Sequence, residues 1–320
     1  AYITGSSSPD FMHTFDDNYI GDKLLNYTKN IQDEVYDDIN FSQYGQVIFA
    51  NATNITIRSS TFGDNGISLL LVYNSSFYNN FINNVGQREY FAFYGNNLYD
   101  SLVENNSVNS SKSYTTTFLL SSSDRNNITE NDINNNNGGS QSYALKLDSC
   151  DNNLINENNI TAVQGDGAGG IYILGSNDNL IDNNSIYSEY SAVYLYDDTS
   201  STNIGNNFTN NNITTTTSDG YGIYISNDIS QALFVNNTIS APSQNDIYVN
   251  TNVDAGSYLR FINTTFDSAD VSINDANFHM NVSWYVDVYV NSTPVGSAVN
   301  GANVTMINNA SAKEFSVLTA

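Results

Sequence analysis

Apolar residues recur along this chain in pairs five residues apart. The pairs are Ile57/Phe62, Phe77/Ile82, Val103/Val108, Ile128/Ile133, Ile155/Ile160, Ile181/Ile186, Phe208/Ile213, Phe234/Ile239 and Phe261/Phe266. From Ile82 onward the second member returns at intervals of 25 to 27 residues. A fixed period in the twenties marks a solenoid, in which no coil can bury its apolar face alone and each stacks on the next. A third pattern precedes many pairs: Leu145/Leu147, Ile171/Ile173, Val193/Leu195, Ile223/Ile225 and Ile247/Val249. Alternation at period two puts both members on one face of a strand. Between the apolar runs lie Asn, Asp, Ser and Gly, which favour turns over helices. Three short strands per coil predict an all-β chain: a right-handed parallel β-helix of about nine coils over residues 45–277.

Two residues before the second apolar landmark stand Asn80, Asn106, Asn131, Asn158, Asn184, Asn211 and Asn237, followed by Thr264. A sharp bend needs a residue that tolerates the left-handed region, which Asn does. Coils stack ~4.8 Å apart, so these amides are also expected to form a ladder from coil to coil.

The flanks break the pattern. Residues 1–44 are Asp-rich and are expected to cap the first coil, with a short helix over Asn30–Ile39. Loops are expected to bulge at 134–142, 162–169 and 214–219. From 278 to 320, longer alternating runs at Val282–Val290, Ala302–Met306 and Phe315–Leu318 predict the opening strands of an immunoglobulin-like sandwich anchored by Trp284. Such strands leave unpaired edges that a further segment or a second copy would complete.

The chain has 320 residues and a formal charge of -24. So acidic a surface excludes nucleic acid and anionic membranes as partners. No apolar run is long enough for a membrane span. The single cysteine, Cys150, rules out an internal disulfide framework and reads as a small packed residue. The chain begins at Ala1 with neither initiator Met nor signal peptide and reads as a segment of a longer protein. Eighteen Asn-x-Ser/Thr sequons occur, at Asn26, Asn40, Asn51, Asn54, Asn74, Asn105, Asn109, Asn127, Asn159, Asn183, Asn207, Asn212, Asn236, Asn263, Asn281, Asn291, Asn303 and Asn309. Chance in so Asn-rich a chain gives roughly 11. The excess favours an exported, cell-surface protein carrying N-linked glycans.

The runs Asn-Asn-Leu-Ile-Asn-Glu-Asn-Asn-Ile at 152–160 and Asp-Asn-Leu-Ile-Asp-Asn-Asn-Ser-Ile at 178–186 resemble NosD-like parallel β-helix repeats of archaeal and bacterial surface proteins. The tail from Trp284 is similar to carboxypeptidase-regulatory-like sandwich modules. The resemblance implies the fold over roughly 45–275 and says little about activity.

Candidate chemistry is sparse. The cations within the coils, Arg58, Arg88, Lys112, Arg125, Lys146 and Arg260, share no coil position with acids arranged around them, and His13 and His279 lie outside the repeat. No catalytic set emerges, and the expectation is of a protein that is not an enzyme. Carboxylates follow the third strand at Asp148, Asp151, Asp178, Asp197, Asp198 and Asp228. Such a row is either ordinary turn chemistry or a Ca²⁺ bridge. Lys146, Tyr172, Tyr194, Tyr224 and Tyr248 lie between inward residues and should point outward as a contact stripe for sugar or another chain. The leading expectation is a structural subunit of a surface layer, filament or appendage that self-associates. The alternatives are a carbohydrate-binding or carbohydrate-active β-helix, and an adhesin or spike that binds a foreign surface.

Overall fold

The computed structural model describes residues 18–20, 22–84, 91–111, 115–136, 142–163, 169–196, 202–216, 220–226, 230–251, 253 and 256–285, and the backbone of 303–307 and 313–318. Residues up to Ser283 form one unit, a solenoid of three parallel sheets. The long sheet opens on Tyr19–Ile20, its one antiparallel strand, and runs from Lys23–Gln32 through strands such as Tyr143–Asp148 and Gly169–Leu174 to Val271–Ile273. The middle sheet carries the first landmark and runs from Val35–Asp37 to His279–Ser283. The short sheet carries the second landmark, from Thr61–Phe62 to Thr238–Ser240, and has eight strands. Among the described residues eight coils therefore supply all three sheets, slightly fewer than the pattern implied.

The landmarks stack as their spacing requires. Ile155 pairs in register with Ile128 and Ile181, and Ile160 with Ile133 and Ile186, all fully buried. Phe208, Phe234 and Phe261 form a continuous ring stack, with centroids 4.5 and 5.1 Å apart. Each such side chain contributes about 1.5–3 kcal/mol by leaving water, and one apolar column runs the length of the coils.

Both ends of the solenoid extend beyond the expected limits. The Asn30–Ile39 helix does not exist: Lys23–Gln32 is a strand paired in parallel with Gln46–Thr53, and Val35–Asp37 pairs with Thr56–Arg58. The cap is thus a coil in its own right. Tyr36 opposes Ile57, and the Phe41 ring stacks on Phe62 at 4.8 Å. Tyr36 and Phe41 keep the five-residue spacing, with a tyrosine where later coils have an aliphatic or Phe. At the other end, His279–Ser283 pairs with Tyr258–Ile262 and belongs to the middle sheet rather than to a sandwich. Trp284, expected as a core anchor, is 56% exposed. In the second unit, Asn303–Ile307 and Lys313–Leu318 form an antiparallel pair. Most of the Val282–Val290 run and at least half of each predicted loop lie outside the described residues.

Two corners of each coil are built from amides. Asn158 is representative. Its Oδ1 accepts the Asn131 backbone N–H at 2.9 Å and the Asn131 Nδ2 at 3.0 Å. Its own Nδ2 donates to the Ile128 carbonyl and to Asn184 Oδ1 at 2.8 and 3.0 Å. The same bonds link Asn80, Asn106, Asn131, Asn158, Asn184, Asn211 and Asn237, all buried. The left-handed residue is not the ladder Asn but the one before it: Asn79, Asn105, Glu130, Glu157, Asn183, Asn210, Asn236 and Asn263 all have φ between 49° and 57°. The division follows from geometry, since a residue in the left-handed bend turns its side chain out while the next points into the corner. A second column, unforeseen, occupies the preceding corner, where Ser101, Asn126, Asn153, Asn179 and Asn206 link in the same way.

Candidate functional site

The outward face of the long sheet carries a column of aromatic side chains from successive coils. Leu119, Lys146, Tyr172, Tyr194, Tyr224 and Tyr248 fall in one register column, as the alternation implied. The column is not a bare stripe. Leu119 and Tyr172 are only 6% and 8% exposed, and Lys146, Tyr194, Tyr224 and Tyr248 are half-buried. Tyr143 stacks on Tyr172 at 4.4 Å, Tyr194 meets Tyr172 and Tyr224 edge-on at 5.0 and 4.8 Å, and Tyr224 stacks on Tyr248 at 5.4 Å. Tyr196 and Tyr221 widen the cluster on either side.

Tyr143 and Tyr221 escape a strict alternation, because Ala144 and Ala192, like Leu145 and Val193 beside them, are buried in the core. Gly170 and Gly222 stand in register with these alanines; a Cβ there would meet Ile186 and Ile239 side chains, so they too face inward. Two successive inward residues return the one before them to the outer face. The signal was available as an Ala or Gly before four of the five third-strand pairs, Ala144, Gly170, Ala192 and Gly222. Gly169 completes the arrangement: a Cβ there would lie 2.7 Å from the Tyr143 ring, so its absence lets that ring lie over the sheet.

The chemistry of the face is that of uncharged phenols. Burial pushes Tyr143 up to about 12 and holds Tyr172 and Tyr194 still further above the ordinary phenol range. These groups are neutral hydrogen-bonding rims at physiological pH. Asn250 Nδ2 donates to the Tyr224 hydroxyl at 3.2 Å, fixing one rim. The Lys146 ammonium sits 5.2 Å over the Tyr172 ring and pairs with Asp148 at 3.0 Å.

The carboxylate row does not converge. Asp148 is held by Lys146. Asp151 accepts the Asn177 backbone N–H at 2.7 Å, one link in a turn column that runs from Asp124 through Asp151 and Asn177 to Ile204. Asp178 occupies a left-handed turn position. Among the described residues no three His, Cys, Asp or Glu side chains group as a metal site, and Asp197, Asp198 and Asp228 lie outside them. Other cations are taken by acids: Arg58 by Asp37 at 2.7 Å and Arg125 by Asp100 in the neighbouring coil at 2.7 Å. The latter pair holds the Asp100 carboxyl below its usual range. Cys150 stands in a column of Ser123 and Ser176, and burial raises its thiol to about 12.

The sequons find a local explanation. Asn105, Asn183 and Asn236 are exposed left-handed turn residues, each followed by a buried ladder Asn and then by an exposed or half-exposed Ser or Thr that opens the short strand. Asn263 shares the conformation, with Thr264 as the ladder residue. Asn in the bend and Ser or Thr at a strand start are both preferred for the fold, and together they spell a sequon. Asn127 has its amide oxygen buried. Asn291 and Asn309 lie outside the described residues, and only the backbone of Asn303 is within them.

Residues 138–312, more than half of the chain, match the family described as right-handed beta helix region. The chain belongs to that family. No curated protein matches it in sequence. Among solved structures it is similar to the A-module of the mannuronan C-5 epimerase AlgE6 of Azotobacter vinelandii, with TM-score 0.59 and 12% identity over 83% of this chain and 80% of that one. It is also similar to the periplasmic alginate epimerase AlgG, with TM-score 0.50 and 14% identity over 82% and 77% of the two chains. A third similar structure is the Streptococcus pneumoniae surface protein and adhesin PfbA, with TM-score 0.44 and 10% identity over 88% and 100%. The likeness to the two epimerases shows the shared fold.

They also correct one expectation. The lack of a repeated acid or cation position argues against an enzyme, yet the first two of these structures are enzymes. The physical reason is simple: a reaction centre needs a few side chains on one or two coils, so periodicity is the wrong place to look for it. As for location, no helix among the described residues is long and apolar enough to cross a membrane.

Proposed function

We propose that this β-helix recognises carbohydrate outside the cell, holding a polysaccharide on the tyrosine-lined outer face of the long sheet. The observation that carries the reading is the contiguous cluster of Tyr143, Tyr172, Tyr194, Tyr196, Tyr224 and Tyr248 on a regular scaffold. Phenol rings offer apolar contact and a hydroxyl rim together, the combination that sugars with C–H faces and hydroxyl edges require. The similar structures named as alginate and mannuronan epimerases support this reading over that of a surface-layer subunit. Chemistry on the bound glycan belongs to the same proposal. The test is calorimetric titration of the chain with a panel of polysaccharides, each incubation then read for altered sugars by NMR. Binding lost in Tyr194→Ala and Tyr224→Ala and largely kept in Tyr224→Phe is the expected result. Binding indifferent to both alanine variants would move the site elsewhere.

A further inference from the structure

We infer that the ligand of the tyrosine face is an uncharged, linear polysaccharide lying along the solenoid axis with one sugar on each coil; this rests on the carbohydrate reading above and names its substrate class.

The charge argument is direct. On the outward positions of the described strands from Tyr143–Asp148 to Ile247–Val249, the only charged side chains are Lys146 and Asp148, and they neutralise each other at 3.0 Å. A polyuronate needs cations presented to its carboxylates, with Arg the usual bidentate partner. The one cation on these strands, Lys146, is already paired with Asp148, and the chain around it carries a formal charge of -24, which repels polyanions. What the face does present is neutral: phenol hydroxyls, the Ser226 hydroxyl and the Asn250 amide, the last already directed at Tyr224 and Ser226. Hydroxyl groups of a neutral sugar match such donors and acceptors without desolvating a charge.

The direction follows from register. Tyr172, Tyr194, Tyr224 and Tyr248 come from four successive coils and pair directly in sequence. Coil spacing is ~4.8 Å, close to the length of one pyranose unit. A chain laid along the axis therefore meets a tyrosine of the same register column at each sugar. Laid across the strands it would meet different side chains at each step.

The experiment is a titration of the intact chain with neutral gluco-, manno-, galacto- and xylo-oligosaccharides, from disaccharide to octasaccharide, beside oligouronates of equal length, at low and high salt. The expected result is binding to a neutral series, strengthening with length to about five sugars, one for each strand bearing the face, and unchanged by salt. Tyr224→Ala should weaken it about tenfold, while Tyr224→Phe, which keeps the ring and controls for folding, should bind nearly as well as the parent. Preference for oligouronates, or neutral binding independent of length, would overturn this inference and leave the carbohydrate reading standing. Binding to neither series would overturn both.

Discussion

The corner between the middle and short sheets and the outer face of the long sheet are built from the same coils on opposite principles. At the corner, seven successive coils place the same side chain in the same bonds: Asn106 Oδ1 accepts two donors from Asn80, and its Nδ2 donates to Phe77 and Asn131. Nothing there varies because a buried amide with any bond missing is costly. On the face, the register column changes from Leu119 to Lys146 to Tyr172. Neighbouring coils there need only tolerate one another, so side chains are free to answer to something outside the fold. Uniformity at the corner marks what holds the solenoid, and four successive tyrosines in one outward column mark where to look for a ligand.

That contrast can be broken most severely at the corner. Asn106→Ala strands the Asn80 backbone N–H and the Phe77 carbonyl in the interior. At ~1–3 kcal/mol for each orphaned group, a loss of about 3 kcal/mol is expected, measured by denaturant unfolding. Because solenoid coils couple mainly to neighbours, amide exchange should rise first around residues 80–131.

Two adjacent glycines divide the corner principle from the face principle within a single strand. A Cβ at Gly170 would lie 2.5 Å from the Ala192 carbonyl and 2.8 Å from Ile186, and backbone cannot yield. Gly170→Ala should cost about 1–3 kcal/mol. At Gly169 the obstacle is the Tyr143 ring, which can swing away. Gly169→Ala should leave the melting temperature nearly unchanged, release Tyr143 from Tyr172, and weaken glycan binding.

Alkaline titration sharpens the comparison further. Burial raises Tyr143 to about 12 and holds Tyr172, Tyr194 and Tyr224 above the ordinary phenol range. An acid whose folded pKa is raised ionises first in the unfolded chain, so stability is full below the unfolded value near 10 and falls as pH climbs through the folded values. Thermal unfolding followed from neutral pH to pH 12 should show a plateau and then a decline above about pH 10. The corner, which has no titrating side chain but Glu130 and Glu157 in its bends, contributes nothing to it.

The smallest expected effect lies in those bends. Glu157 has φ 54°, where most neighbouring coils use Asn. Glu157→Asn should stabilise by a few tenths of a kcal/mol, since Asn tolerates this region better.

The solenoid was legible because each buried landmark repeats in sequence; Ile155 and Ile160 announce their neighbours 26 residues away. The cap was not, since Tyr36 and Phe41 carry the frame in a coil dominated by Asp, and composition masked two aromatic landmarks. The ladder residues were legible as a column, but their conformation was assigned one residue late, because Asn suits both the bend and the buried corner. Of the candidate site, the central Tyr column followed from alternation. Its flanking members did not, because Ala144 and Ala192 interrupt the pleat. Activity was least legible of all, since it needs no period.

The claim that the corner holds the fold while the face binds is tested most directly by measuring melting temperature and neutral-glycan affinity on one pair of variants, Asn106→Ala and Tyr224→Ala. Asn106 lies coils away from the tyrosine cluster, so its variant should melt clearly lower while its folded fraction binds with parental affinity. Tyr224→Ala should lose about tenfold in affinity with the smaller change in melting. Parental affinity in Tyr224→Ala, or parental melting in Asn106→Ala, would contradict the account.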